Sequence, residues 1–260
     1  MELVYTPVAH LVRAAYRMMD WRPTLTGGEN VPPEGPAVIA INHTSYLDFT
    51  FAGWGVWRAT GRLPRFAAKR EIFDHPLAGP LMRSMKHVSV DRDGDPSKAY
   101  AEALEVLRRG EQLMMYPEGT IQVSFVPGRG KTGTARLAQE AGVPLVPCTV
   151  WGAHRLVTKG RSPELAQRDV PVSVHFAAAM RPGPDDGARD VTDALMAQLR
   201  ADVDRLAQEY PDPPAPGEPD WWVPAHLGGG APTVEEAEAA AARYRAERLA
   251  RAQERGRRKG

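Results

Sequence analysis

The sequence predicts an α/β fold with a mixed, largely parallel central sheet flanked by helices, an N-terminal amphipathic helix and a C-terminal helical extension. Between residues 36 and 180, short apolar runs typical of strands alternate with stretches of helical spacing. The 260 residues are enough for one large core with extensions. The predicted parts are 1–24, an amphipathic membrane-docking helix; 25–209, the α/β domain; and 210–260, a proline-rich linker and a C-terminal helix.

The N-terminal segment, residues 3–19, places apolar side chains at helical spacing. Thr6 followed by Pro7 fits an N-cap and a first helical position. The apolar stripe fits two placements, against its own domain or in a membrane interface, and the residues alone do not favour either. In the membrane placement, three aromatic side chains are expected at the boundary: Tyr5, Tyr16 and Trp21.

Six apolar runs predict the strands of the sheet: 36–41, 65–68, 87–90, 112–116, 143–150 and 172–176. Between and after them, helical patterns cover 96–109, 131–141 and 187–209, and Gly110 and Gly142 are placed to end the first two. The last helix opens with the capping-box pattern Thr233-x-x-Glu236 and is expected to reach about residue 255.

Composition excludes several classes of protein. The formal net charge is +1, so there is no global basic field of the kind that binds nucleic acid. A single cysteine, Cys148, cannot form a disulfide within the chain. No run of 18 apolar residues predicts a spanning helix, and the N-terminus lacks a signal-peptide pattern, so we expect a cytoplasmic location. No ligand spacing predicts a metal site.

The stretch INHTSYLD, residues 41–48, directly follows a predicted strand. His43 and Asp48 can form a couple in which the carboxylate orients the imidazole and the other ring nitrogen takes a proton from an alcohol. A second reading needs no chemistry: Ser45 as the N-cap of a following helix, with Asp48 three residues on, is a variant of the capping box. An H-x4-D pattern alone does not decide between them.

Further polar groups follow other predicted strands. YPEGT (116–120) is one such stretch, and Lys131 lies at a probable helix start, where backbone N–H groups favour phosphate. The P-loop pattern is excluded, because Phe125 occupies the position of its first glycine. Basic residues at several strand ends predict a pocket for a phosphorylated hydroxyl compound: Lys69, Arg70, Arg92, Arg129 and Lys131.

Four blocks in this order resemble the glycerolipid acyltransferases, the family of 1-acylglycerol-3-phosphate O-acyltransferase. They are NHTSYLD (42–48), SVDR (89–92), YPEGT (116–120) and VPLVPCTVWG (143–152), and KRE (69–71) is similar to the family's step between the first two. The resemblance covers roughly residues 25–180. It implies transfer of a fatty acyl group from acyl-CoA, or from an acyl carrier protein, to the free hydroxyl of 1-acylglycerol 3-phosphate, without a cofactor or a metal.

The resemblance also implies residue roles. His43 is the implied general base and Asp48 its orienting partner. Residues implied to bind the acceptor are Lys69, Arg92, Glu118, Gly119, Thr120 and Lys131. The third block departs from the family, which often continues EGTR, because Ile121 and Gln122 follow Thr120 here. Arg129 or Lys131 must then replace the missing cation, or the acceptor differs.

Three alternatives therefore stay open at this point: acylation of glycerol 3-phosphate, acylation of a glycolipid alcohol, or a non-catalytic module that binds lipid or phosphate. The intact His43–Asp48 pair disfavours the last of them. A lysophospholipid acceptor resides in a membrane, so the resemblance implies a monotopic protein on the cytoplasmic face of the cell membrane. Residues 3–21 are the expected anchor, with the run 49–57 as a possible second contact.

Overall fold

The computed structural model describes residues 2–91 and 94–257. In this part of the chain one sheet of seven strands forms, in the spatial order β1-β7-β6-β2-β5-β3-β4. The strands are β1 (Arg22–Thr26), β2 (Ala37–Ile41), β3 (Arg65–Lys69), β4 (Val88–Val90), β5 (Gln112–Met115), β6 (Leu145–Trp151) and β7 (Pro171–Phe176). All neighbouring pairs are parallel except β6 and β7.

The α-helices of the described residues are α1 (Tyr5–Met18), α2 (Asp48–Thr60), α3 (Arg70–Asp74), α4 (Ala78–Ser84), α5 (Pro96–Arg108), α6 (Gly133–Ala141), α7 (Ala188–Gln208) and α8 (Val234–Arg257). The predicted α/β class is confirmed. Three elements escaped prediction: β1, α3 and α4. Strand β1 also crosses the predicted domain boundary at residue 24.

Helices cover both faces of the sheet and give it two apolar layers. On one face, α1 and α2 pack against side chains of β2, β6 and β7, such as Ile39, Val150 and Phe176. On the other face, α5, α6 and α7 pack against Val38, Leu113 and Leu145. Strand β2 is buried along its whole length, which explains its continuous apolar sequence and its place near the middle of the sheet.

Helix α1 has two apolar faces. Tyr5 and Tyr16 are buried, and the Tyr16 ring stacks on Phe51 of α2 at a centroid distance of 4.5 Å. The opposite face leaves Leu11 and Met18 exposed, and Leu3, just before the helix, is exposed as well. The prediction that Tyr5, Tyr16 and Trp21 lie at a membrane boundary is wrong, because all three belong to the core. No helix of the described residues is both long enough and apolar enough to cross a membrane.

Other helix ends agree with the sequence in part. The capping box of α8 forms: Glu236 N donates to Thr233 Oγ1 (3.2 Å), and Thr233 N donates to the Glu236 carboxylate (2.9 Å). Gly110 and Gly142, both at positive φ, follow the ends of α5 at Arg108 and α6 at Ala141. The predicted N-cap of α1 at Thr6 is wrong, since the helix already begins at Tyr5 with Val4 as its N-cap.

The run 49–57 belongs to α2, and its location explains its sequence. Phe51, Ala52 and Val56 are buried against the sheet, while Phe49 at the first turn is 39% exposed. The prediction of this run as a second membrane contact is therefore wrong for most of its length. Its apolar character comes from a helix that packs closely on the sheet, where a Cβ at Gly55 would lie 2.8 Å from Val174.

Candidate active site

The chain leaves strand β2 through residues 42–48, which we call the His43 turn. Asn42 N donates to the Cys148 carbonyl (3.2 Å), and the Asn42 side chain bonds both the carbonyl and the N–H of Val150 on β6 (3.1 and 2.8 Å). The buried asparagine therefore continues the pairing with β6 for one more residue. This anchor fixes the point at which His43 departs from the sheet.

His43 and Asp48 form a couple. The His43 Nδ1 lies 3.3 Å from Asp48 Oδ2, and the same oxygen accepts the N–H groups of Thr44 (2.8 Å) and Ser45 (2.7 Å). Asp48 is the first residue of α2, so its carboxylate reaches back over the turn that precedes the helix. Since Nδ1 faces the carboxylate, Nε2 is the ring nitrogen that remains for a substrate hydroxyl.

Ser45 is not the N-cap of α2 as predicted, although the Asp48 carboxylate accepts the Ser45 N–H as the capping-box variant requires. Helix α2 begins at Asp48, its N-cap is Leu47, and no side chain caps it. The Ser45 hydroxyl accepts from Leu47 N (3.0 Å) and lies within hydrogen-bond distance of two carbonyls of a later turn. The Asp48 carboxylate instead takes the amides of the turn, because these N–H groups would otherwise be buried without an acceptor.

Burial dominates the electrostatics of Asp48. Its carboxyl is fully buried, which raises its pKa, and the hydrogen bond from His43 and the two backbone N–H groups oppose that rise. Among the described residues, Oδ1 has no hydrogen-bond partner. A carboxylate with so little solvent interacts strongly with a positive charge on the adjacent imidazole, as a general-base couple requires.

The second component of the site is the segment 116–131, which we call the Glu118 loop. Tyr116, at its start, stacks on the His43 ring with centroids 3.9 Å apart and planes at 20°. The His43 side chain retains 15% of its exposure. The stacked ring and the Asp48 carboxylate together limit the orientations that the imidazole can adopt.

Glu118 joins the two components. Its Oε1 accepts the His43 N–H (2.9 Å) and its Oε2 accepts the Gly128 N–H (3.0 Å), while Gln122 N donates to the His43 carbonyl (2.8 Å). Burial raises the pKa of Glu118 to about 8, against the opposing effect of the two amides. Glu118, which was predicted to bind the acceptor substrate, is thus buried inside the protein, where its carboxyl group holds the backbone of His43.

Lys131 is the last residue of the Glu118 loop, two residues before α6 begins. Gly119 has φ of +70°, and a Cβ built there would lie 3.1 Å from Lys131 Nζ. Lys131 N also donates to the Pro117 carbonyl (2.8 Å). Ile121, at the position where the resembled family often has arginine, is buried. The side chain of Lys131 therefore brings a cation to the turn at Gly119, while Ile121 faces the interior.

The remaining predicted residues are placed as follows. Lys69 ends β3 and is exposed, next to Arg70, which pairs with Asp91 at 2.7 Å. Because β2, β3, β4 and β5 are mutually parallel, their carboxyl ends share one edge of the sheet. Thr120 is half-buried in the Glu118 loop. Arg92 lies outside the described residues.

Sequence reasoning missed two supports of His43. Asn42 belongs to the first block, but the pattern gave no sign that its side chain continues the pairing of β2 with β6. The second is a turn at residues 152–158 that bonds Ser45 and Thr44. Its contacts join residues more than 100 positions apart, which local periodicity does not report.

A family model described as Acyltransferase matches residues 22–151, half of the chain. The chain belongs to this family, and the resemblance inferred from the four blocks is confirmed.

Its relatives are 1-acyl-sn-glycerol-3-phosphate acyltransferases. One from Chlamydomonas reinhardtii is 29% identical over 73% of this chain and 58% of its own length. A chloroplastic one from Brassica napus is 30% identical over 60% and 44%, and one from Bacillus subtilis is 29% identical over 51% and 66%. The chain thus spans about half the length of the first two. The solved 1-acyl-sn-glycerophosphate (LPA) acyltransferase PlsC from Thermotoga maritima shares the fold, with a TM-score of 0.65 at 20% identity over 80% of this chain and 81% of that one.

Proposed function

We propose that this protein transfers a fatty acyl group from acyl-CoA, or from an acyl carrier protein, to the free hydroxyl of 1-acylglycerol 3-phosphate, giving phosphatidate. Family membership and the names of the relatives support the reaction class. The single observation that carries the proposal for this chain is the buried carboxylate of Asp48 beside His43 Nδ1. Since Nδ1 faces this carboxylate, Nε2 of His43 is the nitrogen that remains to accept a proton.

In the proposed reaction, His43 Nε2 takes the proton of the acceptor hydroxyl as its oxygen attacks the thioester carbonyl. Asp48 stabilises the resulting imidazolium. The tetrahedral intermediate then collapses, the C–S bond breaks, and the proton passes from the imidazolium to the leaving thiolate. The products are the ester and free coenzyme A or free carrier thiol. The balance of atoms needs neither a metal nor a cofactor, and no covalent acyl-enzyme forms.

Lys131 is the proposed replacement for the cation that is missing after Thr120. Its ammonium group lies beside Gly119, and it precedes α6, whose first backbone N–H groups favour an anion. Arg129, exposed two residues earlier, is the proposed second cation. Lys69, at the end of β3, is proposed to contact the phosphate, and the same role is proposed for Arg92, which lies outside the described residues. The proposed role of Glu118, Gly119 and Thr120 is to shape the site that binds the acceptor substrate.

Because the arginine that often follows Thr120 in the family is absent, two other acceptor substrates remain candidates. Glycerol 3-phosphate or a glycolipid alcohol would use the same His43 chemistry with a different headgroup contact. Ile121, buried at the position where the resembled family often has arginine, is the observation that favours testing them.

We further propose that the protein is peripheral to the cytoplasmic face of the cell membrane, docked by the outer face of α1. Leu11 and Met18 of α1 are 70% and 64% exposed, Arg17 beside Met18 is exposed, and Leu3, just before the helix, is 81% exposed. Exposed apolar side chains with flanking arginine fit an interfacial helix. The inner face of α1 packs on the core, so the proposed membrane contact uses only the outer face of this helix.

The test of the reaction uses purified full-length protein, radiolabelled palmitoyl-CoA and palmitoyl carrier protein as donors, and three acceptors: lysophosphatidate, glycerol 3-phosphate and a monoacylated glycolipid. Lipid product and free thiol are measured together. We expect phosphatidate and thiol in equal amounts with lysophosphatidate. Transfer to another acceptor only would correct the substrate, and absence of transfer to all three would favour the non-catalytic binding module.

A further inference from the structure

The His43 turn rests on a second turn, residues 152–158, which we call the support turn. The Ser45 hydroxyl lies 3.0 Å from the Ala153 carbonyl and 2.7 Å from the Val157 carbonyl. Thr158 Oγ1 donates to the Thr44 carbonyl at 2.7 Å. These side chains are all buried. The support turn follows β6 and begins just past the residues matched by the family model.

Residues 209–231, which follow α7, pack on the support turn, and we call them the strap. His154 makes the central contact: its ring is fully buried, and Nε2 lies 3.0 Å from the Trp222 carbonyl. A carbonyl can only accept, so Nε2 must carry the hydrogen and donate it. Burial lowers the pKa of His154 to about 3, so the ring is a neutral donor under all ordinary conditions.

A second contact holds the strap on the other side of the same turn. Arg155 donates to the Asp212 carboxylate at 2.7 Å and to the Tyr210 hydroxyl at 3.2 Å. Its guanidinium lies over the Trp222 ring at 4.6 Å. Tyr210 in turn donates to the Pro171 carbonyl on β7. The strap is thereby fixed to the sheet and to two successive residues of the support turn.

His154 also contacts the Glu118 loop. The Phe125 ring lies 4.5 Å from the His154 ring and 6.0 Å from the ring of Trp221 in the strap. Phe125 N donates to the Gln122 carbonyl, and Gln122 N donates to the His43 carbonyl. One buried histidine therefore connects the strap with the Glu118 loop, which bonds the backbone of His43, and with the support turn, which bonds Thr44 and Ser45.

We propose that the strap sets the geometry of the His43–Asp48 couple and that His154 is the positioning residue through which it does so. The inference rests on the proposed function, because it assigns to residues 209–231 a part in the same reaction. His154 touches neither reactant. His154 holds the support turn in place. Two carbonyls and the Thr158 hydroxyl of that turn bond Ser45 and Thr44, whose N–H groups donate to Asp48.

The test compares three full-length variants with the wild type. His154→Phe keeps a ring of similar size but removes the donor, so the Trp222 carbonyl is left buried without a partner. We expect kcat to fall about 10- to 100-fold, as small displacements at a reacting centre do, with KM for donor and acceptor within about twofold. His154→Gln restores an N–H near the position of Nε2, and we expect it to recover most of kcat.

The matched control is His226→Phe. His226 is in the strap, but it pairs with Asp204 of α7 at 2.8 Å, and both side chains are about half exposed. We expect it to leave kcat unchanged. A kcat of His154→Phe equal to that of the wild type would overturn the proposal. So would a loss of kcat in His226→Phe as large as that in His154→Phe, or a change in His154→Phe that affects KM alone.

A second measurement does not depend on activity. Hydrogen exchange of the peptide covering residues 42–50 reports the Thr44 and Ser45 amides that Asp48 accepts. We expect faster exchange there in His154→Phe and no change in His226→Phe. If the wild type shows no acyl transfer but the exchange differs as expected, the proposed function fails while the positioning contact stands. Unchanged exchange with active wild type overturns only the inference.

Coupling supplies the last readout. If His154 acts through the support turn, its effect on kcat must shrink once Ser45→Ala has removed the link to that turn, so the two losses will not add. Additive losses would contradict this route. Should His154→Phe fail to fold, Asp212→Ala loosens the Arg155 contact at an exposed site. There we expect a fall in kcat of about threefold, in keeping with the small contribution of an exposed ion pair, and an unchanged kcat overturns the proposal.

Discussion

The His43 turn and the cations at the same edge of the sheet differ in how firmly they are held. In the turn, the backbone groups of His43 bond Glu118 and Gln122, and Asp48 is buried beneath two amides. Lys69, Arg129 and Lys131 are exposed side chains. A base must be oriented before the substrate arrives, whereas a long cationic side chain can adjust to a phosphate as it binds. We therefore expect variants of the turn to lower kcat and variants of the cations to raise KM.

The largest effect is expected for His43→Ala. The variant removes the base, so kcat should fall by about 10²–10⁴-fold, while KM changes little because the cations remain. Unfolding should show a modest loss of stability, since the His43 ring stacks on Tyr116 and is only 15% exposed. Steady-state kinetics and a thermal melt measure the two quantities. The control, His75→Ala, changes an exposed histidine whose ring accepts the N–H groups of Leu77 and Ala78, and should leave kcat intact. Comparable losses of kcat in both variants would remove His43 from the proposed role.

Glu118 joins the firmly held turn to the cation-bearing loop, and we expect it to make stability depend on pH. Its pKa is about 8 in the folded protein, against 4.5 as an ordinary carboxyl. Between these values the folded state keeps the proton that the unfolded state releases, so the free energy of unfolding falls as pH rises. This contribution is fully present below pH 4.5 and lost through pH 8, about 4–5 kcal/mol in all.

Glu118→Gln removes this titration, so urea unfolding between pH 5 and pH 8 should show a smaller slope than the wild type. Its absolute stability should be lower, because an amide NH₂ must face the N–H of His43 or of Gly128. Glu34→Gln, on an exposed loop, is the control and should keep the wild-type slope. A slope in Glu118→Gln equal to the wild type would mean that Glu118 is already ionised in the folded protein.

The contrast between the two regions also explains what the sequence could predict. β2 and the His43–Asp48 spacing were predictable because a continuous apolar run and a following turn are local patterns. β1 was missed because Arg22 and Pro23 open a short strand with alternating exposure, and α4 because Gly79-Pro80 is typical of turns. Gly79 is required by a close contact between successive helices, since a Cβ there would lie 2.0 Å from the Phe73 carbonyl of α3, and residue spacing does not report such a contact.

Within the site, residue identities were predictable but several roles were not. Glu118 was expected to face the acceptor, yet both of its oxygens accept backbone amides. From the sequence, the cation that replaces the missing arginine could be narrowed only to Arg129 or Lys131. Choosing between them requires the backbone of Gly119, over which the Lys131 side chain lies. The link from His154 to Trp222 spans 68 positions in sequence and had no local signal.

Lys131→Ala tests the cationic side of the comparison. Removing an ammonium group that contacts a phosphate costs about 1.5–3 kcal/mol for a charge-assisted bond, so we expect KM for lysophosphatidate to rise about tenfold or more. kcat should change less than twofold. With an uncharged monoacylglycerol as acceptor, the variant and the wild type should behave alike.

Arg129→Ala is the companion variant, with a similar charge change two residues away. We expect a smaller rise in KM, since Lys131 lies beside Gly119 and precedes α6. If Arg129→Ala has the larger effect, the replacement cation is Arg129. A fall in kcat without a change in KM for Lys131→Ala would place Lys131 with the firmly held groups and break the comparison.

The smallest effect is expected at α1, where inner and outer faces repeat the same contrast. Deleting residues 1–21 would also remove Tyr5 and Tyr16 from the core, so a point change on the outer face separates docking from folding. Leu11→Asp takes one exposed apolar side chain from the proposed membrane contact, and we expect binding to anionic liposomes to weaken about three- to tenfold. The melting temperature should not change. Leu165→Asp, at a 45% exposed leucine elsewhere, should bind liposomes like the wild type. Equal liposome binding by Leu11→Asp and the wild type would remove this face of α1 as the anchor, whereas equal weakening in both variants would reduce the effect to added negative charge.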